Sequence, residues 1–319
     1  MANSLETTFL TQLRNIPDFK NQKYLIAYSA GADSTAVLAV ASHIMKKIHI
    51  PFDVVFFSHE NCKLNEGESD NLELAQKTCH SLGLSLIHQP LDMSNKGNYS
   101  LEQYGRMLRH EFYQSHGYDI IMMGHHKDDQ NETTMIQLFR GAGSGTQGMK
   151  VLDQHFFRPF LNFRKKELIS YLVERNIEWL DDPTNKNNDM TRNFWRNVGL
   201  PAIEKHYPHY SSALDVVREK FSEQDEMAYE LALSDNLEQF LSQSNCKKPS
   251  TPLRTSNLVI QYLKQKNISC EPQKIKKTVQ ENFHKTFTMI FSDISIVINK
   301  DKLQSSLSLV NQDKKSLKN

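Results

Sequence analysis

Long hydrophobic runs are absent from this sequence. None approaches the roughly 20 apolar residues that a membrane-spanning helix needs. Residues 1–8 also lack the basic and apolar regions of a secretory signal peptide. We therefore expect a cytoplasmic protein that makes no membrane contact.

Cysteine is scarce too. The 319 residues contain four cysteines, at Cys62, Cys79, Cys246 and Cys270. No two of them form a Cys-x-x-Cys pair, so the sequence predicts neither a disulfide framework nor a cysteine metal site. A chain of this length is long enough for two domains, with a substantial core in the first.

Net charge is small, at +1, but the charges are unevenly distributed. Residues 246–319 hold 14 Lys and Arg against 5 Asp and Glu, which leaves a balance of −8 for the preceding 245 residues. A basic C-terminal region fits contact with a polyanion. A lysine-rich solvated surface explains the charge on its own equally well.

Residues 24–38 are the stretch around which we expect the chain to be organised. Residues 24–28 are typical of a buried strand, and residues 29–34 are small and polar before a helix that begins near Thr35. This arrangement predicts a phosphate site, because backbone N–H groups and the helix dipole favour an anion there. The loop matches neither the Walker ending nor the dinucleotide glycine spacing. An ordinary strand-to-helix turn is the structural alternative.

Strand-like and helical patterns alternate along the first 124 residues. The β-rich runs cover 24–28, 52–58, 84–89 and 118–124, and the helical patterns cover about 34–48, 66–82 and 101–116. Repeats of about 30 residues match a βαβ unit and predict a parallel sheet with helices on both faces. Ligands of such sheets lie beyond the carboxyl ends of the strands. Polar residues at 29–34, 58–61 and 124–126 follow three of these ends, so we expect one site there.

Residues 124–133, Gly-His-His-Lys-Asp-Asp-Gln-Asn-Glu-Thr, form the densest polar segment. Its histidines and aspartates could ligate a divalent cation in a hydrolase. Asp129 and Glu132 could instead hold an ammonium group, since they face the same way at the start of a helix and a desolvated ammonium needs paired charges. Asp128 or Asp129 could also simply cap the helix.

Arginines on two predicted helices are candidates for phosphate binding. Arg106 and Arg109 share one face of the third helix with Glu102. They fit either a surface salt-bridge stripe or a pair of which one reaches the strand-end cleft. Arg192 and Arg196 lie one helical turn apart and could clamp phosphate or RNA backbone. The alternative partners for this second pair are Asp181, Asp182 and Asp189.

The pattern changes beyond Pro201. Residues 210–243 fit one long or broken acidic helix, which is followed by further helical runs and a final β-hairpin. We therefore predict a catalytic domain over 1–210 and a smaller, mainly helical α+β domain over 211–310. The polar tail at 311–319 is expected to be disordered.

Several of these segments resemble a known family. The loop matches the Ser-Gly-Gly-x-Asp-Ser loop of ATP pyrophosphatases at Ser29, Gly31, Asp33 and Ser34, with Ala30 in place of a glycine. Residues 124–133 resemble the Gly-His-His-x-Asp-Asp-Gln-x-Glu-Thr motif of the tRNA(Ile)-lysidine synthetases within that superfamily. Further blocks follow in register at 139–149, 158–167 and 179–201. The chain resembles the short form of this family.

The resemblance implies a fold similar to the adenine nucleotide α-hydrolases and a two-step modification of the AUA-decoding isoleucine tRNA. ATP adenylates the wobble cytidine, and the ε-amine of free lysine then displaces AMP and leaves lysidine. ATP and magnesium are thus the implied cofactors, and isoleucine tRNA and lysine the implied partners. A homodimer is compatible with this assignment, and residues 211–310 would bind tRNA.

The resemblance also implies roles for individual residues. The phosphate loop would consist of Ser29, Ala30, Gly31, Ala32, Asp33 and Ser34, with Asp33 either bracing the loop or binding magnesium. Arg106 would neutralise pyrophosphate, and His125 would lie near the reacting phosphate. Asp129 and Glu132 would bind lysine. The remaining substrate-binding residues would be Arg109, Arg192 and Arg196.

Three other functions fit parts of the sequence. A tRNA thiolase shares the loop, but thiolases of the 2-thiocytidine type carry Cys-x-x-Cys pairs that this chain lacks. A metallohydrolase could use residues 125–132, and its activity would need neither ATP nor lysine. A non-catalytic RNA-binding protein would bind RNA without ATP turnover.

Overall fold

The structure is a computed structural model. It describes residues 2–61, 68–141, 146–180, 191–291, 294–299 and 301–307. The chain divides into two compact units, of which the first comprises Met1–Thr133 with Gly148–Pro208 and the second Thr134–Gln147 with His209–Asn319. Asp181, Asp182, Asp189 and the predicted tail at 311–319 lie outside the described residues. The division at residue 210 stays a prediction, as do the roles assigned to its two parts.

The first unit contains a six-stranded sheet with the order β3-β2-β1-β4-β6-β5. Its strands are β1 (Tyr24–Ala27), β2 (Phe52–Glu60), β3 (Leu86–Asp92), β4 (Ile120–Met122), β5 (Leu152–Asp153) and β6 (Phe156–Phe157). All neighbouring pairs are parallel except β5 with β6. The predicted parallel sheet is confirmed, and β1 lies in its interior between β2 and β4.

Helices cover both faces of this sheet. The first unit contains α1 (Ala2–Arg14), α2 (Ala32–Lys47), α3 (Glu68–Ser81), α4 (Leu101–Ser115), the start of α5 (Lys127–Phe139) and α6 (Lys165–Glu174). Tyr24 and Ile26 of β1 pack into the core that contains α1, α2 and α6, whereas Leu25 packs with Phe112 of α4 on the other face. Side chains alternate along a strand, so β1 is buried on both sides.

The segment from residue 191 to 206 has an irregular helical conformation. It consists of α7 (Thr191–Phe194), a π-helical turn (Trp195–Gly199) and α8 (Leu200–His206). The π-turn explains why Gly199 is needed, because a methyl group there would lie 2.5 Å from the Trp195 ring. π-turns of this kind are rare and are concentrated at functional sites.

The second unit combines helices with a small antiparallel sheet, as predicted. After α5 its helices are α9 (Tyr210–Ser234), α10 (Leu237–Gln243), α11 (Pro252–Gln265) and α12 (Pro272–Asn282). The sheet has the order β7-β10-β9-β8, from β7 (Asn245–Lys247), β8 (Phe287–Phe291), β9 (Ile294–Ile298) and β10 (Lys302–Leu307). Its own core centres on Phe240, Tyr262 and Val279. No described helix in either unit is long and apolar enough to cross a membrane.

Candidate active site

The predicted phosphate loop connects β1 to α2 at the carboxyl end of the sheet. Gly31 is the N-cap of α2 and has an extended backbone. Ser34 Oγ accepts a hydrogen bond from the Ser29 N–H at 3.2 Å and donates one to the Gly31 carbonyl at 3.1 Å. These bonds hold the turn closed at the start of α2, where the first N–H groups of a helix have no intrahelical acceptor. The local geometry is therefore that of an anion site.

Ala30 departs from the glycine that the family has at this position. Its φ is +62°, which lies in the left-handed region, and its side chain is fully buried. An alanine there costs about 1–2 kcal/mol of backbone strain relative to a right-handed conformation. The turn nevertheless forms, and Leu180 donates its N–H to the Ala30 carbonyl at 2.9 Å.

Gly124, immediately after β4, lets the second motif approach this loop. A methyl group at Gly124 would lie 2.7–2.9 Å from backbone atoms of Asp33 and Ser34, so no larger residue fits. This contact brings His125 and His126 beside the first turn of α2. The loop motif and the histidine–acid motif, about 95 residues apart in the chain, therefore meet at one sheet edge.

A cleft of about 490 Å³ opens at this edge. The predicted site residues that line it are Ser29, Asp33, Ser34, Arg109, His125, Asp129, Arg192 and Arg196. His59, from the polar end of β2, lines it as well, so all three predicted strand ends contribute. Ala30, Ala32 and Glu132 are buried. Arg106 is exposed and is not among the lining residues, whereas Arg109 lies 3.5 Å from His59 Nε2.

Asp129 and Glu132 form a buried acid pair, with 6% and 1% of their surface exposed. Both carboxylates accept hydrogen bonds from Arg192 and Arg196 at distances between 2.7 and 3.1 Å. Burial by itself would raise the pKa of Asp129, but the charges of His126 and Arg192 outweigh it and lower that pKa. The sequence predicts Arg192 and Arg196 as site residues, but it does not predict the acid pair as their partner.

His126 is a buried connection between the two motifs. Its Nδ1 accepts the Asp128 N–H at 3.2 Å, and its Nε2 lies 3.4 Å from oxygens of both Asp33 and Asp129. Burial opposes its charged form, yet these carboxylates together raise its pKa. The sequence motif contains both histidines, but only His125 is predicted to lie near the reacting phosphate.

The pKa of His125 shifts in the opposite direction. Burial lowers its pKa to about 4, and Arg158 and Arg192 act in the same direction against Asp129. Its imidazole is therefore neutral near pH 7. Nδ1 of His125 is buried without a hydrogen-bond partner among the described residues, which leaves it able to accept or donate toward a ligand in the cleft.

Asp33 fits a magnesium ligand of the kind that shares its ion with a nucleotide. Its buried Oδ1 makes no hydrogen bond in the described part of the chain but lies 3.4 Å from His126 Nε2, and Lys165 Nζ lies 3.6 Å from its Oδ2. Magnesium is often held by one or two carboxylates together with substrate phosphates and water. A hydrolytic metal centre would need about three protein ligands, and the described residues contain no such group. No motif in the sequence identifies Lys165 as a site residue.

Comparisons with known proteins identify relatives of this chain. Among curated relatives, a tRNA(Ile)-lysidine synthase of Chlorobaculum tepidum is 34% identical over 65% of this chain and 65% of that protein. Another, from Buchnera aphidicola, is 32% identical over 61% of this chain and 45% of that protein. The chain thus spans about half to two thirds of the length of these relatives.

Among solved structures, the U34-tRNA thiolase NcsA from Methanococcus maripaludis superposes with a TM-score of 0.53 over 69% of this chain and 78% of that chain. At 16% identity this similarity bears on the fold alone. A protein-family model described as the PP-loop domain matches residues 3–203, which include the phosphate loop, the acid pair and both cleft arginines of the 191–199 segment. The chain therefore belongs to the PP-loop domain family.

Proposed function

We propose that this protein uses ATP to ligate lysine to the wobble cytidine of the AUA-decoding isoleucine tRNA, forming lysidine. The observation that carries the proposal is the meeting, in one cleft, of the 29–34 loop and Asp129, one member of a buried acid pair. The relatives named tRNA(Ile)-lysidine synthase support it. An acid pair of this kind can select a cationic amine over a neutral one, because carboxylates accept strong hydrogen bonds from an ammonium group.

The first step is adenylation of the cytidine 2-carbonyl oxygen. That oxygen bonds to the α-phosphorus of ATP, and the bond from this phosphorus to pyrophosphate breaks. The loop at 29–34 would cradle the phosphates, and Arg109 would neutralise the developing charge from the cleft wall. Magnesium held at Asp33 would add to this neutralisation. Arg106 remains a proposed pyrophosphate contact, to be made from the exposed side of α4.

The second step is attack by the lysine ε-amine on C2 of the activated cytidine. The nitrogen–carbon bond forms, the C2–O bond breaks, and AMP leaves with that oxygen. Asp129 and Glu132 would position the amine and accept hydrogen bonds from its ammonium form. His125 is neutral, so it could hydrogen-bond to the phosphate without adding a charge to the site. The proton that the attacking amine loses would pass to water, because an imidazole with so low a pKa is a weak base.

A thiolase-like function is the main rival within the family. The named thiolase contains a [4Fe-4S] cluster, and such clusters are held by cysteine thiolates. Cys79 is buried in the core of the first unit, and burial raises the pKa of its thiol to about 11. Cys246 and Cys270 lie in the second unit. None of these three lines the cleft, and Cys62 lies outside the described residues, so the described cysteines give no support to a cluster in the cleft.

Product analysis tests the proposal directly. The purified full chain would be incubated with ATP, magnesium, radiolabelled lysine and an isoleucine tRNA transcript. We expect pyrophosphate release that depends on the tRNA, and label transferred to the RNA at the wobble position. A transcript with uridine at that position is the matched control. ATP turnover without label in the RNA would reject lysine as the substrate.

A further inference from the structure

We propose that Arg192 and Arg196, the arginine pair, close the acid pair of Asp129 and Glu132 to amines until a phosphate group in the cleft attracts their guanidinium groups. Lysine then enters the site only when a nucleotide is already present. The inference rests on the proposed function and adds an order to its two substrates. It makes the arginine pair a specificity determinant as well as a source of positive charge.

The hydrogen bonds of the acid pair are the first support. Glu132 Oε1 accepts from Arg196 Nε at 2.7 Å, and Oε2 accepts from Arg192 Nε at 2.8 Å. Asp129 Oδ1 accepts from Nη2 of both arginines at 3.0 Å. Asp129 Oδ2 accepts the His126 N–H, also at 3.0 Å. All four carboxylate oxygens are therefore engaged, so an ammonium group must compete with the guanidinium groups for their lone pairs.

The charges point the same way. Two guanidinium groups balance two carboxylates, so an additional ammonium would bring an unbalanced positive charge into a mostly buried site. Moving the arginines away without a replacement would leave two buried negative charges, which is equally unfavourable. An exchange is favourable only if an anion takes the arginines as the amine takes the acids. Bidentate binding of phosphate by arginine provides such an exchange.

Arg192 and Arg196 are more exposed than the acid pair that they contact. Their side chains are 40% and 30% exposed, whereas those of Asp129 and Glu132 are 9% and 1% exposed. Both arginines line the same cleft as Ser29 and Ser34 of the phosphate loop. The guanidinium groups thus lie between the acid pair and the open cleft, on the side from which a nucleotide would enter.

Residues 191–199, which carry both arginines, are also suited to movement. Of residues 191–199 only Asn193 is buried, while Phe194 and Val198 are exposed, so apolar packing contributes little to its position. Arg196 lies within the π-turn. Such a turn differs from an ordinary α-helix by one hydrogen-bond register, so a local change of register would move this arginine.

Lysine binding in the absence of tRNA tests the inference. Equilibrium dialysis of radiolabelled lysine with the full chain would be done with and without α,β-methylene ATP, which cannot be cleaved to pyrophosphate. We expect the analogue to increase lysine affinity about fivefold or more, within the usual range of coupling between two sites. Arg196→Gln should bind lysine more tightly than the wild type without the analogue and should lose most of this enhancement.

A second variant of Arg196 and a control variant complete the test. Arg196→Lys keeps a positive charge beside Glu132 but lacks the bidentate geometry, so it should show the same changes to a smaller degree even if Arg196→Gln does not fold. Arg175→Gln removes an arginine that pairs with Glu6 outside the cleft, and it should behave as the wild type.

The opposite result would overturn the inference. If Arg196→Gln and Arg196→Lys both bind lysine more weakly with and without the analogue, the arginines contact lysine directly and do not exclude it. An analogue without effect on the wild type would also overturn it. Failure of the proposed function looks different: the RNA remains unlabelled in the product assay although lysine and nucleotide binding are coupled.

Discussion

The pKa values of two adjacent histidines shift in opposite directions because their neighbours differ. Burial opposes the charged form of His126, but the carboxylates of Asp33 and Asp129 together raise its pKa. Burial lowers the pKa of His125, and Arg158 and Arg192 act in the same direction. Two neighbouring positions after β4 therefore carry imidazoles of different basicity.

The pH dependence of stability should reveal His125. In the unfolded chain a histidine takes up a proton near pH 6.5, whereas folded His125 does so only near pH 4. Between these values the unfolded state binds more protons than the folded state. The contribution of His125 to the free energy of unfolding therefore falls as the pH drops through this window, by at most about 3 kcal/mol. His126 has a raised pKa, and its term is present below pH 6.5 and lost as the pH rises through the folded value.

The comparison that isolates this term is wild type against His125→Asn, since both retain His126. Urea unfolding at pH 7 and pH 4.5 would measure the free energy of unfolding of each. We expect the variant to lose less stability on acidification than the wild type does. An equal loss in both proteins would contradict the neutral state assigned to His125.

Asp129 should matter more for lysine transfer than for adenylation. Replacing it with alanine removes half of the acid pair, and a hydrogen bond to a charged group contributes roughly 1.5–3 kcal/mol, so lysine use should fall by about tenfold or more. Pyrophosphate release in the first step should be affected less. The two rates would be measured in parallel by pyrophosphate detection and RNA labelling. Equal losses would show that Asp129 does not act specifically in lysine binding.

At the scale of elements, the approach of β4 to α2 decides whether the site exists. Gly124→Ala places a methyl group within 2.7–2.9 Å of backbone atoms in the first turn of α2. Because backbone cannot move aside as a flexible side chain can, we expect the free energy of unfolding to fall by roughly 1–3 kcal/mol. ATP binding should weaken as well. Thermal unfolding with and without ATP would measure both effects.

Gly105→Ala in α4 is the matched control for that variant. A methyl group at Gly105 would meet its nearest neighbours at 3.6 Å, which is ordinary van der Waals contact. Alanine also favours a helix over glycine by about 1 kcal/mol. The control should therefore be at least as stable as the wild type, and equal destabilisation by both substitutions would refute the close-approach explanation.

Most of the strands and helices of the first unit could be predicted because each has a long enough hydrophobic pattern. The strand predicted at 52–58 is β2, and the helix predicted at 34–48 is α2. The short strands β5 and β6 were not predicted, since two residues carry no periodicity. The π-turn at 195–199 was not predicted either, because its sequence differs little from that of an α-helix.

At the scale of the whole molecule, the uneven charge predicts how tRNA would bind. The helix α12 carries the exposed Lys274 and Lys277 together with the half-buried Lys276. We expect tRNA affinity to fall steeply with salt, by about 10³-fold or more between roughly 50 and 200 mM if six or more phosphates are contacted. Filter binding at several salt concentrations would measure the slope. An affinity independent of salt would remove tRNA binding from the proposal.

The same measurement locates the contact. Lys274→Ala combined with Lys277→Ala should lower both the affinity and the slope of its salt dependence. Lys220→Ala on α9 is a suitable control, because Lys220 is also exposed and, like Lys277, pairs with an acid on its own helix, but it lies outside α12. If only the control variant changed the slope, the basic surface of α12 would not be the RNA contact.

The sequence by itself determined the parallel α/β sheet, and it predicted the phosphate loop and the sheet edge at which the polar motifs meet. These features follow from local periodicity and from the topology of parallel sheets, which bring the carboxyl ends of strands together. Only the tertiary structure decided that Arg192 and Arg196 pair with Asp129 and Glu132, and that Arg109 lines the cleft while Arg106 is exposed. The opposite pKa shifts of the two histidines also depend on it. The physical reason is that ion pairing and burial depend on which distant segments pack together, whereas a local pattern records only which face of an element is apolar.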